Sequence, residues 1–215
     1  MQGKMSLKEL SAMVNVNNKA FDANRRPDMY QHPKNRPFQV GYPLIQQHVD
    51  LPEGVDEELI QIIKGRGDTQ RHKTNVKADM TDWFMQKQHP QFQLVGDVAI
   101  ELAKRESPYD MAMELFDCWG VIYQKDDWTK AHDHWPHPWS FVYYIRCGAD
   151  DSPLAFPDGY QGEHHLKPVS GDMILFPGHL RHKVPRQTHD SERIIVAGNI
   201  SPMLLPLAHP FRRFD

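Results

Sequence analysis

From Tyr109 onward the chain breaks into short apolar segments separated by turn residues, and this punctuation limits what it can fold into more than any other feature. Met111 to Gln124 is rich in apolar and aromatic residues, with Trp119-Gly120-Val121-Ile122-Tyr123 as its clearest strand. Trp139 to Arg146 is a second run of strand length. Shorter strands are expected at Leu154–Phe156, His165–Val169, Met173–Phe176, Leu180–Val184 and Arg193–Ile200. Turn residues lie between them, at Gly148-Ala149-Asp150-Asp151, Pro157-Asp158-Gly159, Ser170-Gly171-Asp172 and Pro177-Gly178. Many short strands so punctuated predict a mainly β chain, an antiparallel sandwich or barrel.

The first half reads differently. Pro27, Pro33, Pro37 and Pro43 disfavour both helix and central strand, so Ala23 to Pro43 is expected to be an extended arm, after one or two helical turns between Leu7 and Val14. Val55 to Lys64 predicts a helix. Leu59, Ile62 and Ile63 share one face, Asp56, Glu57 and Glu58 lie in the first turn, and Gly65-Arg66-Gly67 stops it. The polar stretch Asp68 to Thr81 predicts a loop, and Met80 to Met85 a candidate lid. Val95 to Glu106 predicts a second helix that ends at Ser107-Pro108, with Val98, Ile100 and Leu102 inward. Residues 1–108 are thus an arm and supporting helices of the same domain, and 109–215 its β core.

Chemistry concentrates in Ala131-His132-Asp133-His134-Trp135-Pro136-His137. In extended chain His132 and His134 project to one face. Pro136 and Pro138 break regular pairing, which puts the pair at a strand end, on a rim where a metal keeps open positions. Taken alone, His-x-His is better explained by a solvated, His-rich loop. Alternation through Leu180, His182 and Val184 turns His182 inward and His179 outward; the plain alternative is a core histidine bonded to a backbone carbonyl. In the last strand Arg193, Ile195, Ala197 and Asn199 share a face. A hairpin through Pro185 to Ser191 would set His182 opposite Arg193, with Cβ atoms about 5 Å apart. An inward arginine needs an anion, either a ligand carboxylate bound through two parallel hydrogen bonds or a protein carboxylate such as Asp172.

His132-Asp133-His134, then His182, then Arg193 eleven positions on resembles the signature of the Fe(II)/2-oxoglutarate-dependent oxygenases. The nearest likeness is to the branch found in bacteria and phages. Ser140-Phe141-Val142-Tyr143-Tyr144, Gly171 to Pro185, and Arg193 to Asn199 extend it over roughly residues 115 to 200. The resemblance implies a double-stranded β-helix (jelly roll, cupin-like) with iron at its mouth. It also implies Fe(II), 2-oxoglutarate and O2 as cofactors, and Arg193 as the partner of the keto acid's far carboxylate. Tyr123 matches a tyrosine that binds the same carboxylate in prolyl-hydroxylase-like members, though an aromatic core residue reads as well; Asn199 is a further candidate for the pocket. No catalytic residue beyond the metal site is implied.

One departure stands out. The carboxylate position of the family's His-x-Asp/Glu is taken here by His134. The metal site is either His132, His134 and His182, or completed by Asp133 through a bulge, or three histidines oriented by Asp133 from outside the coordination sphere. Trp119, Trp135, Trp139, His137, His164 and His165 are candidates to shape a substrate cleft.

With 25 Lys and Arg against 28 Asp and Glu, scattered rather than clustered, the chain carries no nucleic-acid footprint. Its apolar runs are too short to span a bilayer, no signal-peptide core follows Met1, and two cysteines, Cys118 and Cys147, make no disulfide framework, so a cytoplasmic setting is expected. The leading expectation is an Fe(II)- and 2-oxoglutarate-dependent dioxygenase, a hydroxylase in its chemistry, acting on a small-molecule or peptidyl substrate. A three-histidine cupin-type dioxygenase without 2-oxoglutarate, and a non-enzymatic jelly-roll binding module, are the alternatives. Substrate identity and oligomeric state stay open.

Overall fold

A computed structural model describes residues 42–107, 110–159 and 162–203. In chain order they form β1 (Ile45–His48), α1 (Val55–Arg66), β2 (Val76–Lys77), β3 (Asp79–Met80), a 3-10 turn (Met85–Lys87), α2 (Pro90–Glu106) and then eight strands. These are β4 (Met113–Tyr123), β5 (Trp128–His132), β6 (Trp139–Arg146), β7 (Leu154–Phe156), β8 (His164–Leu166), β9 (Asp172–Pro177), β10 (His182–Val184) and β11 (Arg193–Pro202). None of the described helices is long and apolar enough to cross a membrane. The expected helix near Leu7 and most of the Pro-rich arm lie outside the described residues.

The strands form two antiparallel sheets, a major one ordered β1-β9-β6-β11-β4-β3 and a minor one ordered β2-β5-β10-β7-β8. The architecture is the jelly-roll double-stranded β-helix that the resemblance implies, with helices flanking it, in line with the antiparallel sandwich or barrel read from the residues. Two apolar layers hold it together. Trp119, Val121, Tyr123, Val142, Tyr144, Ile174, Phe176, Ile195 and Ala197 point from the major sheet toward the minor one, where they meet Val76, Leu154, Phe156 and Val184. The alternate residues, among them Cys118, Ile122, Phe141, Tyr143, Leu175, Ile194 and Val196, point the other way and pack on Leu59 and Ile63 of α1 and on Phe92, Val95, Ala99 and Leu102 of α2. Both faces of the major sheet are therefore covered, which is why its strands read as near-continuous apolar runs rather than alternating ones. Gly120 faces α1 at contact distance; a Cβ there would sit 2.4 Å from Ile63 Cγ1.

Several sequence expectations need correction. The stretch Asp68 to Thr81 is not all loop: Val76–Lys77 pairs with β5 and Asp79–Met80 with β4. Met80 to Met85 is not a lid. Met80 and Met85 are buried, and buried Thr81 accepts the Gly120 N–H at 2.9 Å. Helix α2 begins at Pro90, in the first-turn position where proline lacks no needed donor. Its Gln-rich first turn hides Phe92, which is fully buried. The hairpin between Leu180–Val184 and Arg193–Ile200 does not exist. β10 pairs with β5 and β7 in the minor sheet, while β11 lies between β4 and β6 in the major one. His182 accordingly faces His132, and Arg193 faces Tyr123.

Candidate metal centre and its two cavities

The β5–β10 pairing builds the centre. It sets His132 directly across from His182, with ring centroids 4.5 Å apart. His134, two residues past the end of β5, closes the group at 4.9 Å from His132 and 5.0 Å from His182. One nitrogen of each ring lies within 4.8 Å of the other two. The loop carrying His134 is clamped by the Pro177-Gly178 turn: His134 N–H donates to Gly178 O at 2.7 Å, and Gly178 N–H to Pro138 O at 3.0 Å. Glycine is required there, because a Cβ at 178 would lie 2.2 Å from the His137 carbonyl oxygen.

Protonation suits the same purpose. Burial and the neighbouring imidazoles hold His134 down at about 2, burial and His132 hold His182 at about 3, and burial lowers His132. All three rings are neutral at neutral pH. His132 Nδ1 meets Lys130 O at 2.7 Å and His182 Nδ1 meets Leu180 O at 2.9 Å. A neutral ring nitrogen facing a carbonyl must carry the proton, which leaves each Nε2 with its lone pair toward the group's centre. Neutral, oriented imidazoles suit a divalent transition ion. Asp133 turns away; it is exposed and its Oδ1 accepts the Trp135 N–H at 3.1 Å. A second group among the described residues, Asp68, His72 and Asp79, is more exposed and partly self-satisfied, with Asp68 already engaged by His72 and the Arg71 N–H.

Two spaces meet at the imidazoles. The inner one is narrow and runs between the sheets from His132, His134 and His182 to Arg193, past Tyr123, Thr129 and Leu154. Arg193 closes it and is wholly buried. One terminal nitrogen donates to Ser152 O at 2.7 Å, the other approaches Tyr144 Oη at 3.4 Å, and Nε has no partner. The guanidinium lies 5.0 Å from the ring centres of both Tyr123 and Tyr144. Burial raises both phenols, Tyr144 to about 12, so neither supplies a negative charge. Asp172 does not supply it either, since it is bound to His48 and Gln46 on the β1–β9 edge. Among the described residues no carboxylate pairs with Arg193. A buried guanidinium without an anion is strongly unfavourable, and the cavity beside it fits a carboxylate. Tyr123 adds its ring, while its hydroxyl is taken by Thr129 Oγ1 at 2.6 Å.

The outer space opens from His132 and His134 to the surface between Lys73–Lys77 and Lys130 on one side and Trp83, Asp117, Trp119 and Asn199 on the other. Asp133, Trp135 and His137 also line it. Asn199 belongs here and not beside Arg193: the two share a strand face but are six residues apart, roughly 20 Å of strand. Trp139 is core, donating to Ser107 Oγ at 2.9 Å. His164 and His165 lie on edge strand β8 and line neither space.

Sequence reasoning missed Tyr144, Ser152 and Asp117. Tyr144 sits in a strand apolar on both faces, where alternation carries no signal. Asp117 did have one: it is in step with Trp119, Val121 and Tyr123 on the inward face of β4.

No protein-family model matches the chain, and no curated protein matches it by sequence. Solved structures do share its fold. A prolyl-4-hydroxylase from Pseudomonas putida matches 75% of this chain and 94% of its own, with TM-score 0.59 at 19% identity. The viral collagen prolyl hydroxylase of Paramecium bursaria Chlorella virus-1, solved with 2-oxoglutarate, matches 74% and 96%, with TM-score 0.59 at 14% identity. HygX from Streptomyces hygroscopicus, solved with nickel, 2-oxoglutarate and hygromycin B, matches 75% and 83%, with TM-score 0.59 at 12% identity. At these identities the likeness is one of fold.

Proposed function

We propose that this chain is an Fe(II)- and 2-oxoglutarate-dependent oxygenase that hydroxylates a C–H bond of a small-molecule or peptidyl substrate. The observation that carries this reading is Arg193, a buried guanidinium without an anion at the closed end of a cavity whose other end is three neutral imidazoles. A dicarboxylate keto acid has the matching form, with one carboxylate for Arg193 and a keto-carboxylate end for a metal. His132, His134 and His182 would hold the ion. When bound, iron and keto acid supply the oxidant: O2 and 2-oxoglutarate are consumed, succinate and CO2 leave, and one oxygen atom enters the substrate C–H bond. The chain's own contribution is placement. Lys130 O and Leu180 O fix the imidazole tautomers, Arg193 fixes the co-substrate, and the apolar wall of Val121, Ile195 and Ala197 keeps the inner cavity dry.

The all-histidine ligand set favours a second reading, a three-histidine dioxygenase in which Arg193 holds the substrate's own carboxylate. Two separate cavities meeting at one centre support the first, since they provide for two ligands at once. Anaerobic addition of Fe(II) and then 2-oxoglutarate separates them. A visible charge-transfer band that appears only with both, and is lost in His182→Ala, is expected. Iron binding without that band on keto-acid addition would favour the second reading, and no iron binding would end both.

A further inference from the structure

The paired strands β4 and β11 carry a ladder of inward residues, Tyr123–Arg193, Val121–Ile195, Trp119–Ala197 and Asp117–Asn199. At its closed end sits a cation without an anion. At its open end sits the reverse. Asp117 is 9% exposed, and no lysine, arginine or histidine pairs with it among the described residues. Its Oδ1 accepts Asn199 Nδ2–H at 2.8 Å, and Asn199 Oδ1 accepts Ser140 Oγ–H at 2.7 Å. Asn199 and Ser140 are buried at 3% and 1%, so the amide is held with its donor toward the carboxylate. Among the described residues no second side chain hydrogen-bonds to Asp117. Burial pushes its carboxyl up to about 6, which leaves it mostly ionised at neutral pH.

Such a group is costly to the fold, since a neutral residue could complete the same chain of side-chain hydrogen bonds at lower cost. The surroundings indicate its use. Asp117 lines the outer cleft with Trp83 and Trp119, whose rings meet edge to face at 4.9 Å, and Trp83 remains 36% exposed. A desolvated carboxylate beside the exposed indole of Trp83, which packs on the buried Trp119, is the chemistry that recognises an organic cation. The facing wall limits which cation. Lys73 and Lys130 line it with no ion-pair partner among the described residues, and Lys77 is bonded to the carbonyls of His72 and Thr74 at 2.5 and 2.7 Å. Those ammonium groups repel a second positive charge and accept a neutral or anionic one.

We propose that the outer cleft selects a substrate bearing one protonated amine or guanidine, received by Asp117 beside Trp83 and Trp119, with the rest of the substrate neutral or anionic. This rests on reading the outer cleft as the substrate side of the oxygenase centre. It makes Asp117 a specificity-determining residue, oriented by Asn199 and Ser140.

The test is direct binding, followed by the indole N–H signals in nitrogen-15 spectra of the full chain. Methylguanidinium and tetramethylammonium are compared with the neutral probes methylurea and tert-butanol. Trp139, whose indole is hydrogen-bonded in the core, is the internal reference. The cations should shift Trp119 and Trp83 saturably while Trp139 stays still, and bind at least about tenfold more tightly than the neutral probes. Asp117→Asn should remove that preference, and Trp83→Leu should weaken the cations alone; a melting curve on each variant checks the fold. Equal binding of neutral and charged probes, an undiminished preference in Asp117→Asn, or no saturable shift with any cation overturns the proposal. Repeating the titration with Zn(II) and 2-oxoglutarate present keeps the two readings apart, because cation binding without metal or keto-acid binding would fail only the oxygenase reading.

Discussion

Arg193 is fully buried with no carboxylate partner among the described residues, and its removal should separate stability from function. Replacing a buried, unpaired ion by an apolar residue is often neutral or stabilising. Arg193→Leu should therefore fold with an unchanged or higher melting temperature, yet weaken 2-oxoglutarate by at least about 30-fold, as expected for losing one side of a buried charge-assisted pair. Fe(II) affinity should hardly change. Keto-acid titration of iron-loaded protein measures this, and an unaltered requirement would move the anion site elsewhere. Asp117 gives a prediction of opposite sign in charge. Its folded pKa, about 6, lies above the unfolded value near 3.8. The folded state is thus most favoured below that unfolded value and loses stability as pH rises through 6. His134, His137 and Lys130 share the cleft without pairing with it. Asp117→Asn should raise the melting temperature at pH 8, with the gain shrinking to nothing near pH 4; a gain independent of pH would mean that ionisation is not its source. Alternation alone turns His182 and Arg193 inward in the sequence, and both are buried. It could not reveal that Arg193 lacks an acid, because that depends on residues from β6 and the segment before β7.

At the scale of elements, the strands were legible and their partners were not. Trp139–Arg146 and Leu154–Phe156 match their predicted bounds, since apolar runs flanked by turn residues mark strands wherever they pair. Pairing is different. Sequential strands usually neighbour one another, and that expectation misled at β10 and β11, which cross from one sheet to the other. Only the crossing brings His182 onto His132. The loop holding His134 depends on an equally nonlocal contact, the approach of Gly178 to the His137 carbonyl. Gly178→Ala should displace that loop while leaving both sheets intact. We expect divalent-metal affinity to fall about tenfold or more, with far-ultraviolet circular dichroism unchanged, and normal metal binding in this variant would show that the clamp does not position His134.

Across the described residues, a buried guanidinium lies at one end of the interior, three imidazoles in its middle, and a cleft leads from them to the surface. Residue type and spacing singled out the histidines and Arg193 that line the inner cavity, but the cleft wall formed by Lys73 to Lys77 looked like loop because strands of two residues leave no periodic trace. The arrangement makes the ligands interdependent. A keto acid spanning from Arg193 to a metal gains its second anchorage only when the metal is there, so the two should stabilise the fold cooperatively. A ligand at 100 times its dissociation constant adds about 2.7 kcal/mol, worth roughly 5–10 °C for a chain of this size. Anaerobic melting should therefore show a rise with Fe(II), a small rise with 2-oxoglutarate alone, and a rise with both that exceeds their sum and is reversed by a chelator. If 2-oxoglutarate raised the midpoint equally with and without metal, it would be held by Arg193 alone, and the two ends of the inner cavity would not be working on one molecule.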